Sequence, residues 1–201
     1  MLMKKICLFV AAVLFTLTTF SQTIPVPNLK KAPSFGVSFF FKDFATPDAI
    51  NSTSLAHVLG TGAWSKLKDM NVGASFSYYK GLTNNIDFAA NLGGSYTTYP
   101  FPAASGKARP NSDGFLLEAD ANMHFKLLTD NYFAVPYFSA GLGLSMYTGT
   151  YFAAYMPFGV GMQFRLGGNT FVNLQWDYHV RVTDLANYNF QYSLGIVAPF
   201  N

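Results

Sequence analysis

The sequence predicts an all-β protein, an eight-stranded antiparallel up-and-down β-barrel that crosses a membrane. The first observation is a strict alternation of large apolar residues with glycine or polar residues, most clearly in residues 159–166 (GVGMQFRL). A period of two is typical of strands with two unlike faces. The second observation is composition: half of the 201 residues are hydrophobic and only 11% are charged, whereas soluble domains average about 25% charged residues. Strands with so little charge are expected to turn their apolar faces to lipid.

Eight segments carry the alternation. They lie within residues 34–44, 72–78, 86–92, 117–125, 138–146, 158–166, 172–180 and 192–198. One row of side chains in these segments is apolar and uncharged, and the other is rich in Gly, Ser, Asn and Gln. A soluble lipocalin-like barrel would place the apolar row inside, but eight strands enclose too little space for so many large side chains. We therefore assign the apolar row to lipid, where a Lys or Arg would cost roughly 2–4 kcal/mol at the midplane.

The amino terminus, residues 1–21, is typical of a secretory signal peptide. Lys4 and Lys5 precede an apolar segment at 6–17, and the small residues that follow predict cleavage after Ser21. An uncleaved helical anchor is less favoured, because spanning a bilayer takes about 20 apolar residues. Residues 22–33, which contain three prolines, are expected to form a periplasmic lead-in, and residues 34–201 the barrel.

Charge and cysteine content exclude several classes of function. Loss of Lys4 and Lys5 with the signal leaves 11 of the 13 basic residues against 10 acidic ones, and Cys7, the only cysteine, is lost with them. The mature chain is therefore nearly neutral and free of thiols. Neither a nucleic-acid partner, nor a disulfide framework, nor a cysteine-based metal site is indicated.

Connections between the strands alternate in length. Residues 45–70 and 99–113 are long, 183–189 is intermediate, and 81–85, 128–132 and 167–170 are short turns; only the outer connection at 147–151 is unexpectedly short. Long loops at one end and tight turns at the other are typical of outer-membrane barrels, in which the turns face the periplasm. Apolar residues within 54–68, such as Leu55 and Trp64, predict either a short helix at the membrane surface or a mobile loop that folds them inward.

The polar row places charged residues inside the predicted barrel. The predicted ionic cluster consists of Asp87, Glu118, Asp120, Lys126, Arg165, Asp177 and Arg181. Charges enclosed in a narrow barrel must be paired, since removing one partner of a buried pair costs roughly 3–5 kcal/mol. Two roles remain open, a structural plug and an ion-selective constriction. The narrow bore of eight strands favours the plug.

Chemistry at the other polar positions is weakly indicated. Asp177 and His179 lie two residues apart with Ser193 on the next strand, but no nucleophile motif surrounds Ser193. His124 and His179 lack a clear third ligand for a metal. We expect neither enzymatic activity nor a cofactor.

Several bulky or small residues have predicted structural roles. Phe40 interrupts the polar row of the first strand and is expected to fill the interior. Gly141, Gly143, Gly159 and Gly161 are expected where large interior side chains approach the backbone. Aromatic residues of the lipid row are candidates for girdles at the two membrane interfaces, or are ordinary bulky residues that face lipid; they are Tyr78, Tyr96, Trp176, Tyr178 and Tyr192.

The chain resembles the amino-terminal barrel of OmpA-like outer-membrane proteins, particularly those of Bacteroidetes. The matching segments are 37–44 (VSFFFKDF), 64–68 (WSKLK), 79–88 (YKGLTNNIDF), 115–120 (FLLEAD), 136–143 (PYFSAGLG) and 187–196 (NYNFQYSLGI). The resemblance implies a barrel inserted by the outer-membrane assembly machinery. Relatives usually continue into a peptidoglycan-binding domain, and since this chain stops at Asn201, peptidoglycan binding is not expected.

These observations together predict a cell-envelope protein. The expected partners are outer-membrane lipid and the assembly machinery, and the expected role is structural: anchoring, envelope integrity and display of surface loops. A narrow porin or a carrier for small apolar solutes is the main alternative. A membrane-embedded lipid-modifying enzyme is a third and less favoured one.

Overall fold

The computed structural model describes residues 30–167 and 169–200, which form one closed antiparallel barrel. The strands are β1 Ser34–Asp43, β2 Asn71–Gly81, β3 Ile86–Thr97, β4 Gly114–Lys126, β5 Ala134–Tyr147, β6 Tyr151–Gly167, β7 Thr170–Arg181 and β8 Asn189–Pro199. Each strand pairs with its neighbours in sequence, and β1 closes the sheet on β8 from Ser34↔Pro199 to Asp43↔Phe190. The predicted fold class and strand number are confirmed. The predicted signal peptide, and residues 22–29 of the predicted lead-in, lie outside the described residues.

The two rows of side chains face as predicted. Phe76, Leu142 and Leu194 of the apolar row are exposed by 69%, 66% and 56% on the outer wall. Asp87 and Lys42 of the polar row are fully buried inside. Because closing the sheet leaves only a narrow interior, most bulky apolar side chains remain outside, and the lumen is lined mainly by small or polar residues and a few aromatic rings.

The two ends of the barrel differ in their connections. Three short turns, after β2, β4 and β6, lie at the end where β1 begins and β8 finishes; we call it the turn end. The opposite end, the loop end, carries the connections 44–70, 98–113, 148–150 and 182–188. The predicted asymmetry is confirmed, including the short connection between β5 and β6.

The first loop contains two short helices, α1 Ala45–Ser52 and α2 Leu55–Thr61. Helix α2 begins where Ser54 Oγ accepts a hydrogen bond from the His57 backbone N–H (3.1 Å) and ends at Gly62 in the left-handed region (φ 67°). The predicted helix within 54–68 is thus confirmed for 55–61, whereas α1 was not predicted. No helix among the described residues is long and apolar enough to span a bilayer.

Glycines on the inner face make room for aromatic rings, as predicted for β5 and β6. A Cβ at Gly143 would overlap the ring of Tyr155, and one at Gly161 would overlap that of Tyr137. Phe40, only 1% exposed, fills the lumen as expected, and its ring lies against Gly73. The lumen is therefore packed with rings set against bare backbone.

Candidate functional site in the barrel interior

An ion-pair network closes the turn end of the lumen. Asp87 of β3 lies between two lysines: Lys31 Nζ is 2.9 Å from its Oδ2, and Lys126 Nζ is 3.0 Å from its Oδ1. Lys126 also pairs with Asp130 in the following turn at 2.7 Å. Lys31 hydrogen-bonds Gln163, and Gln163 Nε2 donates to Asp130 Oδ1 at 3.0 Å. Two cations and two anions thus neutralise one another with almost no exposure to water.

Lys31 reaches this network from outside the barrel strands. The segment before β1 crosses the turn end, where the Gly81 N–H donates to the Lys31 carbonyl (3.0 Å). The ammonium group also lies over the rings of Phe171 (4.9 Å to the centroid) and Tyr79 (5.6 Å). The end of the lead-in is therefore part of the lumen packing.

A second ion pair crosses the lumen nearer the loop end. Lys42 of β1 pairs with Glu118 of β4; the lysine is 0% and the glutamate 7% exposed. The Lys42 ammonium lies 5.7 Å from the ring centroid of Phe40. Because the pair joins strands that are not neighbours, it ties opposite walls of the barrel together.

Two further lumen carboxylates, Asp120 and Asp177, are held by neutral donors. Asp120 Oδ1 accepts from Asn91 (2.6 Å) and Asn122 (2.5 Å). The hydroxyl of Tyr155 donates to the other oxygen at 3.2 Å. Gln175 donates to Asp177 at 2.8 Å, as does Ser139 at 3.1 Å. Among the ion pairs of the described residues, neither carboxylate takes part.

Very little open space remains between these groups. A polar cavity of about 30 Å³ lies among the carboxylates Glu118, Asp120 and Asp177 and the serines Ser38 and Ser77. A water molecule needs about 10–15 Å³ of such volume. The cavity therefore has room for about two waters and is too small for a hydrated ion to pass.

Aromatic residues close the loop end. Phe44, Tyr99, Leu116 and Tyr147 form a buried cluster, with Phe101 and Tyr151 packed on it. The Tyr99 hydroxyl donates to the Leu185 carbonyl (3.2 Å) and accepts from the Asn187 N–H (2.9 Å). Burial raises the pKa of Tyr99 well above its usual range. The hydroxyl therefore stays protonated, and it binds the second and fourth loops together.

The predicted ionic residues do not form one cluster. Asp87 and Lys126 belong to the turn-end network, Glu118 pairs with Lys42, and Asp120 and Asp177 are held by neutral donors.

The two arginines lie at opposite ends of the barrel. Arg165 donates to the Asp130 carbonyl (3.3 Å) and to Asn169 Oδ1 (3.2 Å) at the turn end. Arg181 lies over the ring of Tyr188 (5.3 Å) at the loop end. Neither arginine pairs with a carboxylate among the described residues, so the structure differs from the prediction there.

Sequence reasoning missed Lys31, Lys42 and Asp130 as members of the ionic groups. Lys42 had a usable signal, because it occupies a polar-row position of the first strand together with Gly36 and Ser38. Lys31 and Asp130 lie outside the strands, where no alternation indicates which way a side chain faces.

The groups considered for catalysis or metal binding are kept apart. The ring of His179 stacks on Tyr155 (4.4 Å between centroids), and that of His124 stacks on Tyr137 (4.6 Å). No hydrogen bond joins His179 to Asp177 or to Ser193 in the described part of the chain, so the required chain from nucleophile to base is not formed there. Within the same residues, no group of three or more His, Cys, Asp or Glu side chains is placed to hold a metal.

The barrel is similar in fold to solved outer-membrane proteins. Neisserial surface protein A superimposes on it with a TM-score of 0.57 at 12% sequence identity, over 85% of this chain and 99% of that one. The chain has the fold of small outer-membrane β-barrels. No protein-family model matches the sequence, and no curated protein is detectably similar to it in sequence.

Two other solved barrels are also similar over most of their length. The amino-terminal barrel of Pseudomonas aeruginosa OprF gives a TM-score of 0.48 at 16% identity, with 83% of this chain and 96% of that one covered. Ail, the attachment invasion locus protein of Yersinia pestis, gives 0.47 at 14% identity, covering 84% and 96%. At sequence identities this low, the similarity gives no indication of a shared activity.

Proposed function

We propose that the chain is a structural protein of the outer membrane, a closed barrel that anchors surface loops and contributes to envelope integrity. The observation that carries the proposal is the combination of an apolar outer wall, with the exposed Lys80 at its turn end, and a lumen filled by the barrel's own side chains. A wall without charges along its middle suits acyl chains, since no charge has to be moved into hydrocarbon. A filled lumen makes the barrel a scaffold instead of a passage.

The filled lumen favours the structural role over a porin. A solute would have to displace the Lys31–Asp87–Lys126 network at one end and the Tyr99 cluster at the other. Between them, the Lys42–Glu118 pair crosses a space with room for about two waters. Opening the lumen would separate buried charges from their partners, which is unfavourable because an unpaired charge in the interior is costly.

Aromatic side chains support insertion in a bilayer. On the outer wall, Phe35, Tyr78 and Phe200 pack together at the turn end (Phe35–Phe200 centroids 4.5 Å apart), and Trp176 and Tyr192 stack near the loop end (6.4 Å). Aromatic girdles at both interfaces are typical of outer-membrane barrels. We infer that the turn end faces the periplasm, that the signal peptide directs export, and that the assembly machinery inserts the barrel. The kinship with Bacteroidetes proteins is inferred from the sequence resemblance.

Reconstitution tests the proposal. Mature chain folded into phosphatidylethanolamine/phosphatidylglycerol vesicles should shift in mobility on heating before electrophoresis and give no steady conductance in planar bilayers. Loss of the gene in its host should weaken the envelope against detergents. Steady, ion-selective conductance that changes in Lys42→Met would instead establish a pore, and lipid hydrolysis abolished by His179→Ala would establish an enzyme. A monodisperse fold in buffer without detergent would contradict membrane insertion altogether.

A further inference from the structure

An apolar groove lies on the outer surface of the barrel, beneath the first loop. The barrel side of the groove is the lipid-facing wall of β6 and β7, with Phe158, Val160 and Trp176 each 40–44% exposed. The loop side is formed by Ile50 of α1, Leu55 of α2 and Trp64. The groove has a volume of about 450 Å³, and no charged side chain lines it.

The first loop is held over the wall by directed contacts. The Trp64 ring stacks on Phe190 at 5.7 Å with an interplanar angle of 6°, and its Nε1 donates to the Tyr192 hydroxyl at 3.2 Å. Next to it, the Ser65 N–H donates to Oγ1 of the fully buried Thr46 at 3.0 Å. The groove therefore has two fixed sides, one from the barrel and one from the loop.

The chemistry of the groove restricts its occupant. A bound water needs two to four polar partners, and an apolar cavity of about 150 Å³ stays dry and takes up apolar molecules. This groove has about three times that volume. Water or a polar segment would find few hydrogen-bond partners along such walls. A flexible hydrocarbon chain suits both the size of the groove and its apolar lining.

We propose that this groove holds an acyl chain of a membrane lipid. The proposal rests on the proposed outer-membrane location. Phe158, Val160 and Trp176 belong to the row that faces lipid along the whole barrel, so the groove continues directly into the surface that acyl chains already cover. An acyl chain lying there contacts the barrel wall on one side and Ile50 and Leu55 on the other, so the first loop and the lipid hold each other in place.

The two tryptophans of the sequence both line the groove, so their fluorescence reports on its contents. Trp176→Phe leaves Trp64 on the loop, and Trp64→Phe leaves Trp176 on the wall. Each full-length mature variant is placed in phosphatidylethanolamine/phosphatidylglycerol nanodiscs whose acyl chains carry bromine, a contact quencher. We expect both residues to be quenched, and we expect native mass spectrometry of the unaltered protein to retain one phospholipid per barrel.

Substitutions inside and outside the groove separate a held lipid from the surrounding bilayer. In the Trp176→Phe background, Ile50→Asp places a charge in the groove and should abolish both the quenching of Trp64 and the retained lipid. Leu59→Asp makes the same change at a residue outside the groove that is 64% exposed, and should leave both signals unchanged. Ile50→Phe, which fills the groove without adding charge, should also displace the lipid.

The outcomes distinguish this inference from the proposed function. If Trp176 is quenched and Trp64 is not, the barrel is inserted and the lipid site is wrong. Retention of the lipid in both Ile50 variants, or a second copy of the chain retained in place of a lipid, would overturn the site as well. If neither tryptophan is quenched, the chain is not in the bilayer, and the proposed function fails together with the site.

Discussion

Losing one partner of the Lys42–Glu118 pair should destabilise the barrel because it leaves the other charge buried and unpaired. Lys42→Met leaves Glu118 as a buried lone carboxylate, and the loss of one partner of a buried pair costs roughly 3–5 kcal/mol. Lys42→Met should lower the free energy of unfolding by more than Glu118→Gln does. Glu118 lines one small cavity with Asp120 and Asp177, so removal of the lysine leaves three carboxylates there without a paired cation. Glu118→Gln leaves the lysine beside two, and should therefore cost less.

The assay is equilibrium unfolding by urea from phospholipid vesicles, followed by tryptophan fluorescence, with the free energy of unfolding extrapolated linearly to water. We expect the double variant Lys42→Met/Glu118→Gln to be less destabilised than the sum of the two single ones, because it leaves no lone partner. Lys66→Met, at an exposed lysine of the first loop, is the control and should stay within about 0.5 kcal/mol. Additive single costs, or a Glu118→Gln cost above that of Lys42→Met, would refute the reasoning.

Three further predictions use the same unfolding measurement. Gly161→Val should destabilise the barrel by roughly 1–3 kcal/mol, because the new side chain would overlap Tyr137. The control Gly60→Ala, at a position with open space around it, should show no such loss. A Gly161→Val variant of unchanged stability would contradict the packing. Phe76→Arg, mid-strand on the outer wall, should cost roughly 2–4 kcal/mol in a bilayer, and a negligible cost would mean that this wall does not meet lipid. Lys31→Ala should lower the free energy of unfolding and expose the end of the lead-in to protease, because Lys31 pairs with Asp87 and Asp130. Unchanged stability and protease resistance would show that these pairs do not close the turn end.

Much of the barrel was predictable because its determinants are local. Alternation assigns each strand residue to one of two faces, and the balance of bulk and charge between the rows assigns those faces to lipid and lumen. Phe40 was assigned to the interior because it is a bulky residue in the polar row. Gly143 and Gly161 were expected next to large interior side chains because they are small residues of the inward row. The inward tyrosines Tyr137 and Tyr155 share the phase of these glycines and were identifiable by the same rule.

The interior contacts were less predictable because they join residues distant in sequence. Lys42 and Glu118 lie 76 positions apart on strands that are not paired with each other. Their meeting depends on the tilt and stagger with which the sheet closes, and these belong to the whole barrel. The same holds for Arg165 and Arg181, whose positions at opposite ends of the barrel removed them from the expected cluster.

Taken by itself, the sequence determined the number of strands, the face of each side chain and the unequal lengths of the connections, because a period of two and the composition of turns act over a few residues. Only the tertiary structure decided which charges pair, that Lys31 inserts into the turn end, and that the first loop folds back along the outer wall to form a groove. These contacts join residues that are far apart in sequence, and the closure of the β-sheet sets the distances between them. No local sequence pattern specifies those distances.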